Sequence, residues 1–308
     1  KTTVKMSVTK LTPKEITKLP TVGGEADLAQ YLQVVPGVVF TGDQGGQLYI
    51  RGGSPVQNKV LLDGMVIYNP FHSIGLFSVF ETDIIGSADI YTGGFGAEYG
   101  GRISSIMDIS TRDGNKKHLS GKVALSTFGA KAIVEGPLLK STKEKPGGIS
   151  FVLSGKTAHL NQTSQNIYSY VDTAGIPFDY TDLYGKISFH ADNGSKLDLF
   201  GLNYTDQARL KNAGTVSWRN SGGGGRFLIV PSAANNVVEG NFAYSSYLVE
   251  QEGLSFGRRE SGVDGFNVNL NAKYFNNDNE IIYGFEVSGF TTDFTYANAA
   301  GASIDQQE

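Results

Sequence analysis

The sequence predicts a small mixed α/β domain in residues 1–115, followed in residues 116–308 by antiparallel β-strands of the kind that form membrane-spanning barrels. The main observation is a change of pattern near residue 115, after which segments of about ten residues alternate apolar and polar side chains. A second is the 40 glycines beside only nine prolines, about twice the usual glycine share, which indicates many tight turns. A third is that no apolar run approaches the roughly 18 residues that a membrane helix needs. A membrane contact would therefore use strands.

The elements of the α/β domain follow from short local patterns. Residues Glu25–Gln33 place Leu28, Tyr31 and Leu32 at helical spacing, and Pro36-Gly37 ends this predicted helix. The turn dipeptide Asp63-Gly64 predicts a hairpin between the apolar segments on either side of it. The predicted strands are Leu48–Arg51, Lys59–Leu62, Met65–Ile67, Ala88–Tyr91 and Ser105–Ser110.

The second part of the chain contains about nine strand candidates between Leu119 and Thr292. Their alternation is clearest where Phe266, Val268 and Leu270 are separated by asparagines. A barrel of about eight strands has room only for its own side chains, whereas the first domain has a radius of gyration near 13 Å. We therefore expect an open, curved sheet wrapped part-way round the first domain, with the remaining wall supplied by residues beyond Glu308. On alternation alone, a soluble β-sandwich is the alternative.

The sequence offers no anchor for enzyme chemistry, a cofactor or a metal. It contains no cysteine, and its four histidines stand alone rather than at the spacing of metal ligands. Ser154-Gly-Lys-Thr157 resembles the end of a phosphate loop, but the required upstream glycine is replaced by Ser150. A net charge of −4 without a basic stripe argues against a nucleic-acid partner. We therefore expect a protein that is not an enzyme.

The glycine-centred segments of the first domain carry the most specific signal. In order they are Leu32-Gln-Val-Val-Pro-Gly37, Tyr49-Ile-Arg-Gly-Gly53, Val60-Leu-Leu-Asp-Gly64, Gly93-Gly-Phe-Gly-Ala-Glu-Tyr-Gly-Gly-Arg102 and Ile109-Ser-Thr-Arg112. Each alone reflects only a tight turn. Their succession resembles the plug domain of TonB-dependent outer-membrane receptors, closely over about residues 16–115 and loosely to about residue 292. The variants Gly52-Gly-Ser-Pro55, Tyr68-Asn-Pro-Phe-His72 and Phe77-Ser-Val-Phe80 are similar to the Bacteroidota branch.

The resemblance implies a fold, a location and partners. The fold would be a plug seated in a barrel of about 22 strands, of which this chain supplies the first part. The location would be the Gram-negative outer membrane, in contact with its lipids. The function would be import of a bulky nutrient (an iron chelate, a cobalamin or a glycan), energised by the TonB–ExbB–ExbD complex. A surface lipoprotein or a larger envelope complex would be a further partner.

The resemblance also implies roles for individual residues. Arg51 and Arg102 would form ion pairs with carboxylates of the barrel wall and lock the plug, the alternative being solvated surface charges. The residues facing cargo would be Gln44, Tyr68, Phe71 and His72, the alternative being side chains that pack against the wall. The tight-turn glycines would be Gly52, Gly53, Gly64, Gly93, Gly94, Gly100 and Gly101.

One departure from the family pattern keeps a second function open. A TonB box is expected upstream of the plug, and Lys1–Thr12 contains no such segment. The alternative function is a receptor-like structural subunit of a larger outer-membrane assembly, without transport.

Overall fold

The computed structural model describes residues 8–19, 21, 25–41, 46–72, 75, 77–142, 147–167, 175–210, 214–231, 235–253, 257–276, 279–297 and 303–307. Seven strands and two α-helices between Val8 and Thr111 form one unit, which we call the inner domain. Ten further strands between Ser120 and Gln307 form a single antiparallel sheet, which we call the wall. The chain therefore has the predicted architecture of an α/β unit followed by one large sheet.

The inner domain is a five-stranded sheet with order β1-β6-β7-β4-β5, plus the separate ribbon β2–β3. In that sheet β4 and β7 run parallel, and the other neighbours are antiparallel. Its elements are β1 (Val8–Leu11), α1 (Pro13–Ile16), α2 (Leu28–Leu32), β2 (Val38–Thr41), β3 (Gln47–Ile50), β4 (Asn58–Leu62), β5 (Met65–Val66), β6 (Ile85–Tyr91) and β7 (Ser105–Thr111). Apolar side chains from the sheet and from α2 pack into one core.

Two predicted elements of the inner domain are confirmed in detail. The predicted helix is present but begins only at Leu28, because the carboxylate of Asp27 caps it by accepting from the Ala29 N–H at 2.7 Å. The predicted hairpin pairs Leu62 with Met65. Its turn has positive φ at both central residues, 49° at Asp63 and 90° at Gly64, as a two-residue hairpin turn requires.

In the wall, each strand pairs with its neighbours in sequence, so that β8 and β17 form the two edges and the sheet is open. The strands are β8 (Ser120–Leu125), β9 (Ala130–Leu139), β10 (Gly148–His159), β11 (Phe178–His190), β12 (Lys196–Leu210), β13 (Gly214–Ile229), β14 (Asn236–Glu252), β15 (Arg259–Asn276), β16 (Asn279–Ala297) and β17 (Ser303–Gln307). Helix α3 (Leu160–Ile167) lies between β10 and β11. No helix among the described residues is long and apolar enough to cross a membrane.

The wall contains one strand more than the nine predicted from the sequence. The tenth strand, β17, lies beyond Thr292, where the predicted strands stop. The link between β12 and β13 is only three residues long, because β12 continues to Leu210 and β13 begins at Gly214. The division after residue 115 stays a prediction; β7 ends at Thr111 and β8 begins at Ser120.

The two faces of the wall differ in chemistry, as the alternation predicted. Phe266 and Val268 point away from the inner domain and are 48% and 39% exposed, whereas Asn267 between them is buried against it. Other apolar residues exposed on the outward face are Leu153, Leu183, Leu197, Phe242, Tyr244, Tyr283 and Phe285. Each of the nine strands β8–β16 contacts the inner domain through a hydrogen bond or an ion pair. Laid flat, nine strands would span about 40 Å. The inner domain has a radius of gyration near 13 Å, so the wall must curve round it for all nine strands to make contact.

Gly222 in β13 lies at a close approach between the wall and the inner domain. A Cβ atom there would lie 2.5 Å from Sδ of Met65 and 2.7 Å from the Tyr244 carbonyl oxygen. We expect Gly222→Ala to destabilise the folded protein by about 1–3 kcal/mol through overpacking, measured as a shift in the urea midpoint. Gly201→Ala is the matched control, because its Cβ would lie 3.6 Å from the Gly222 carbonyl, an ordinary contact. Equal shifts for both variants would contradict this account.

Candidate functional site

The interface between the inner domain and the wall is the candidate functional site, and His72 lies in its first polar cluster. The Phe77 carbonyl accepts from the backbone N–H of His72 at 2.9 Å and positions it beside β11 and β12. Nε2 of His72 lies 2.9 Å from Oδ2 of Asp182, and Nδ1 lies 3.2 Å from Oδ2 of Asp206. A neutral imidazole has only one N–H, so two carboxylate acceptors favour the doubly protonated ring.

The surroundings of His72 favour the same charge state. Burial lowers the pKa of His72, but the carboxylates of Asp182 and Asp206 outweigh it and raise the pKa to about 9. The ring of Tyr180 stacks on the imidazole at a centroid distance of 3.8 Å. Nζ of Lys156 lies 3.3 Å from Asp182 and donates to the Ser78 carbonyl at 2.7 Å. The cluster therefore joins the inner domain to β10, β11 and β12 through alternating charges.

Two of the four residues expected to face cargo, Phe71 and His72, are buried in the structure. His72 is 0% exposed and Phe71 is 2% exposed, with its ring 5.0 Å from that of Phe40. The carboxylates of β11 and β12 and the core enclose both side chains, and their contact with cargo stays a prediction. Tyr68 is half-buried beside Tyr247, burial raises its pKa, and its contact with cargo stays a prediction. Gln44 lies outside the described residues.

The second cluster surrounds the turn between β4 and β5. The fully buried carboxylate of Asp63 accepts from the Thr111 N–H at 3.0 Å, the Thr111 hydroxyl at 2.7 Å and the Tyr184 hydroxyl at 2.6 Å. Arg226 lies 3.7 Å away. The Gly64 carbonyl accepts from the side-chain amides of two wall residues, Asn241 at 3.2 Å and Asn267 at 2.7 Å. The hairpin tip thus occupies a socket formed by β11, β13, β14 and β15.

The third cluster is centred on Lys131 of β9, which is buried. Its Nζ lies 2.7 Å from Glu25, 3.0 Å from Glu81 and 2.8 Å from Asp83, all in the inner domain. Asp83 also pairs with the more exposed Lys122 at 2.8 Å. Burial raises the pKa of Asp83, but Lys122 and Lys131 outweigh this effect and the net pKa is lowered.

A fourth cluster lies where the chain leaves the inner domain for the wall. Oδ1 of Asp113 lies 2.5 Å from Nζ of Lys196, and its Oδ2 lies 3.2 Å from Lys116 and 3.4 Å from His190. Burial opposes ionisation, but Lys196, Lys186 and His190 lower the pKa of Asp113 to about 2. Next to it, Arg112 forms an ion pair with Glu135 of β9.

The two arginines expected to lock the domain occupy different positions. Arg51 has a left-handed backbone, with φ of 49°, and its N–H donates to the Gly37 carbonyl at 2.9 Å. Arg102 is exposed and donates to the Gly101 carbonyl at 2.8 Å. The lock role of both stays a prediction. Of the seven predicted turn glycines, Gly52, Gly64, Gly93, Gly94 and Gly101 have positive φ, while Gly53 closes the same turn as Arg51 and Gly52. Gly100 lies beside Glu286 of β16.

The residues that join the two parts were not singled out from the sequence. They include Lys131, Lys156, Asp182 and Lys186, which occupy inward positions of amphipathic strands. Their charge on the predicted inward face of a strand was the available signal in the sequence. A charged side chain buried there requires a partner of opposite charge. The sequence does not identify that partner.

A cavity of about 590 Å³ lies between the inner domain and strands β12–β16. Its wall side contains four inward asparagines, Asn241, Asn267, Asn269 and Asn271, and its inner-domain side contains Lys59 and Tyr99. Nζ of Lys59 lies 2.7 Å from Glu286 of β16 and so connects the inner domain with the wall.

Within the described ranges, no group of three or more His, Asp and Glu side chains is arranged to hold a metal ion.

The charge state of His72 leads to a pH prediction. Because its pKa is higher in the folded protein than the unperturbed 6.5, its stabilisation is complete below about pH 6.5 and is lost as the pH rises through about 9. The difference corresponds to roughly 3 kcal/mol at 1.36 kcal/mol per pH unit. We expect the urea midpoint of the inner domain to fall between pH 6.5 and pH 9.5 more steeply in the native sequence than in His72→Gln.

His118→Gln is the matched control for this measurement. His118 is exposed, and within the described part of the chain its hydrogen bonds are to Asn115 of its own loop. Its variant should keep the native pH profile. Parallel profiles for the native protein and His72→Gln would contradict a charged, buried His72.

Comparisons with known proteins agree with this architecture. Residues 1–105 match the family model of the TonB-dependent receptor plug domain. The chain is similar in structure to the siderophore receptor PirA from Acinetobacter baumannii, with 16% identity, 97% of this chain and 50% of that chain covered and a TM-score of 0.69. It is also similar to the ferric yersiniabactin uptake receptor FyuA from Yersinia pestis, with 11% identity, 99% and 52% coverage and a TM-score of 0.69.

A third similar structure is the Serratia marcescens hemophore receptor HasR, in complex with its hemophore HasA and heme. It has 13% identity, 99% and 46% coverage and a TM-score of 0.70. The chain thus spans about half the length of these solved structures. No curated protein sequence matches it.

Proposed function

We propose that this chain, which carries a TonB-dependent receptor plug domain in residues 1–105 and the fold of the front part of such a receptor, imports a bulky nutrient across the outer membrane. The inner domain is the plug, and the TonB–ExbB–ExbD complex supplies the energy for its displacement. The outward apolar face of the wall contacts outer-membrane lipids. The cargo is an iron chelate, a cobalamin or a glycan, and no catalytic step takes part.

The observation that carries this proposal is the polar character of the plug–wall interface. Every strand from β8 to β16 contacts the plug through a hydrogen bond or an ion pair. Obligate subunit interfaces are instead mostly apolar, because their surfaces never face water. Wall residues such as Ile133 and Val152 also belong to the plug's apolar core cluster. Groups such as Lys59, Glu286 and Asn267 can be rehydrated when the plug moves, so displacement costs less than at an interface that is apolar throughout. This supports a removable plug.

The structural alternative is a receptor-like subunit of a larger envelope assembly, in which a surface lipoprotein or another envelope protein is a permanent partner. It predicts a plug that never moves. The cavity of about 590 Å³ beside the wall favours transport, since a permanently docked plug would be expected to fill this space.

Uptake in cells tests the proposal. Cells that make the full-length receptor, with and without TonB, would be given labelled ferric chelates, cobalamin and oligosaccharides one at a time. We expect one of these classes to accumulate only when receptor, TonB and proton-motive force are all present, and the receptor to fractionate with the outer membrane. Recovery of native protein from the cytoplasm would contradict the location. A stable complex with a partner and no accumulation would favour the structural alternative.

A further inference from the structure

The outward face of the wall changes from apolar to polar along strands β10–β14. On this face, residues that are partners in neighbouring strands form rows across the sheet. An apolar row contains Phe151, Ile187, Leu199, Gly225 and Phe242. A polar row, six residues further along the same strands, contains Thr157, Thr181, Thr205, Arg219 and Leu248. The apolar surface that suits lipid chains therefore ends between these two rows.

The spacing of the rows places the polar one at the level of lipid headgroups. The last mainly apolar row contains Leu153, and Thr157 lies four residues beyond it on β10. Four residues of a strand tilted by about 45° rise about 10 Å along the membrane normal, beyond the hydrocarbon layer. The longest link of the wall, between His159 and Phe178, lies at the same end. Longer loops of such barrels are extracellular, so the polar row faces the outer leaflet.

A groove of about 450 Å³ lies in this polar zone, where α3 borders the ends of β11–β14. Most of its lining side chains belong to the outward face. Thr181 and Thr205, for example, line the groove, whereas the next residues, Asp182 and Asp206, point inward to His72 of the plug. The groove is therefore separate from the plug–wall interface and opens toward the surrounding membrane.

The charges on the outward side of the groove leave one arginine unbalanced. Asp179 pairs with Arg209 at 3.7 Å, and Glu250 pairs at 2.6 Å with Arg258, which lies outside the groove. Arg219 is exposed and forms no ion pair within the part of the chain that the structure describes. The groove thus offers a guanidinium to an anionic ligand.

Neutral polar side chains surround this guanidinium. Thr205 is the partner of Arg219 in the neighbouring strand, Thr181 is the partner of Thr205, and Gln207 is the partner of Ser217. Hydroxyl and amide groups donate and accept hydrogen bonds, as sugar hydroxyls require, and a guanidinium can bind a phosphate through two parallel bonds. The volume is in the range of small-molecule sites and exceeds what a phosphate group alone needs.

We infer that this groove binds the phosphorylated sugar headgroup of an outer-leaflet glycolipid. Arg219 binds the phosphate, the hydroxyls of Thr181 and Thr205 bind the sugar, and the acyl chains lie on the apolar rows around Leu153. A free sugar phosphate would make no use of those rows, which continue directly into the groove. The inference rests on the outer-membrane location proposed above and holds for any cargo.

Lipid binding to the purified full-length receptor tests the phosphate contact. The receptor is titrated in an uncharged detergent, and bound lipids are counted by native mass spectrometry. The probes are lipid A, which is an acylated glucosamine disaccharide bearing phosphates, and the same lipid with its phosphates removed. We expect the native receptor to bind lipid A roughly tenfold more tightly, as one charge-assisted contact implies.

Arg219→Gln should remove most of this preference, and Arg219→Lys should retain part of it, because the charge remains without the planar fork. Lys140→Gln is the matched control, since Lys140 is exposed just after β9 at the opposite end of the wall. Equal binding of both probes by the native receptor would overturn the inference, as would equal losses in Arg219→Gln and Lys140→Gln. Heat-modifiable migration confirms that the variants fold.

Phosphatidylglycerol tests the sugar contact, because it supplies a phosphate without a sugar. We expect it to bind the native receptor several-fold more weakly than lipid A. The double variant Thr181→Val with Thr205→Val keeps the side-chain shapes and should lose this preference. Equal affinity of the native receptor for both lipids would overturn the assignment to a glycolipid.

Glucosamine phosphate without acyl chains distinguishes a lipid from a soluble ligand. We expect no displacement of lipid A when both are present at the same concentration, and displacement would overturn the assignment to a lipid. Uptake in cells is measured separately, as described above. Loss of lipid binding with uptake intact would therefore refute this site alone, whereas loss of uptake by the native receptor would refute the proposed function.

Discussion

Replacing Lys131 with methionine is expected to lower the free energy of plug unfolding by about 3–5 kcal/mol, the usual cost of leaving buried charges without their partner. Lys131 pairs with Glu25, Glu81 and Asp83 at 2.7–3.0 Å, and its side chain is only 8% exposed. Methionine keeps most of the side-chain volume, so the loss reports the charge and not a cavity. The measurement is the urea concentration at which the plug of the micelle-bound receptor becomes susceptible to protease.

Lys122→Met is the matched control. Lys122 pairs with the same Asp83 at 2.8 Å, but its side chain is 54% exposed. Solvent screens such a pair, so we expect a change of at most about 1 kcal/mol. The double variant Lys131→Met with Glu81→Gln should recover part of the loss, because one unpaired carboxylate is removed. Equal effects of Lys131→Met and Lys122→Met would show that burial does not determine the strength of this cluster.

Replacing Asp63 with alanine should destabilise plug docking by a similar amount, about 3–5 kcal/mol. The change leaves the buried Thr111 N–H without its acceptor and removes the carboxylate to which the Tyr184 hydroxyl donates. It also places alanine at φ of 49°, a left-handed conformation that costs about 1–2 kcal/mol. The same urea and protease measurement reports the change.

Asp63→Asn separates the contributions of shape and charge. Asparagine tolerates the left-handed conformation and keeps an acceptor for Thr111, but it loses the attraction to Arg226 at 3.7 Å. We expect its loss to be about half that of alanine. Asp192→Ala, in an exposed turn of the wall, should change stability by less than about 0.5 kcal/mol. The socket model is wrong if the alanine variant at position 63 behaves like the one at position 192.

Local patterns predicted most of the fold because they report local physics. The alternation around Phe266 and Asn267 identified the outward and inward faces, since successive side chains of a strand point to opposite sides. Asp63-Gly64 predicted its hairpin because the turn needs two residues that accept positive φ. The succession of glycine segments indicated the plug, and the family match over residues 1–105 agrees with it.

The contacts within the candidate site could not be predicted from the sequence, as His72 illustrates. The resemblance to the receptor family suggested a cargo contact for it, and that contact stays a prediction. The carboxylates that bury and charge it, Asp182 and Asp206, lie 110 and 134 residues further along the chain. Lys59 and Glu286 likewise form a contact across a distance in sequence of 227 residues, which no local pattern reports.

The sequence by itself determined the two-part architecture, the strand faces, the hairpin and the presence of charges on the inward face of the wall. These features depend on the spacing of apolar side chains, on the residues that a turn requires and on the cost of burying a charge. Each of these can be recognised in a segment of a few residues. Only the tertiary structure decided which cation meets which carboxylate, and which strands of the wall meet the tip of the β4–β5 hairpin. That outcome depends on the register of each strand and on the curvature of the wall round the plug. Both are properties of the whole sheet and not of any one segment.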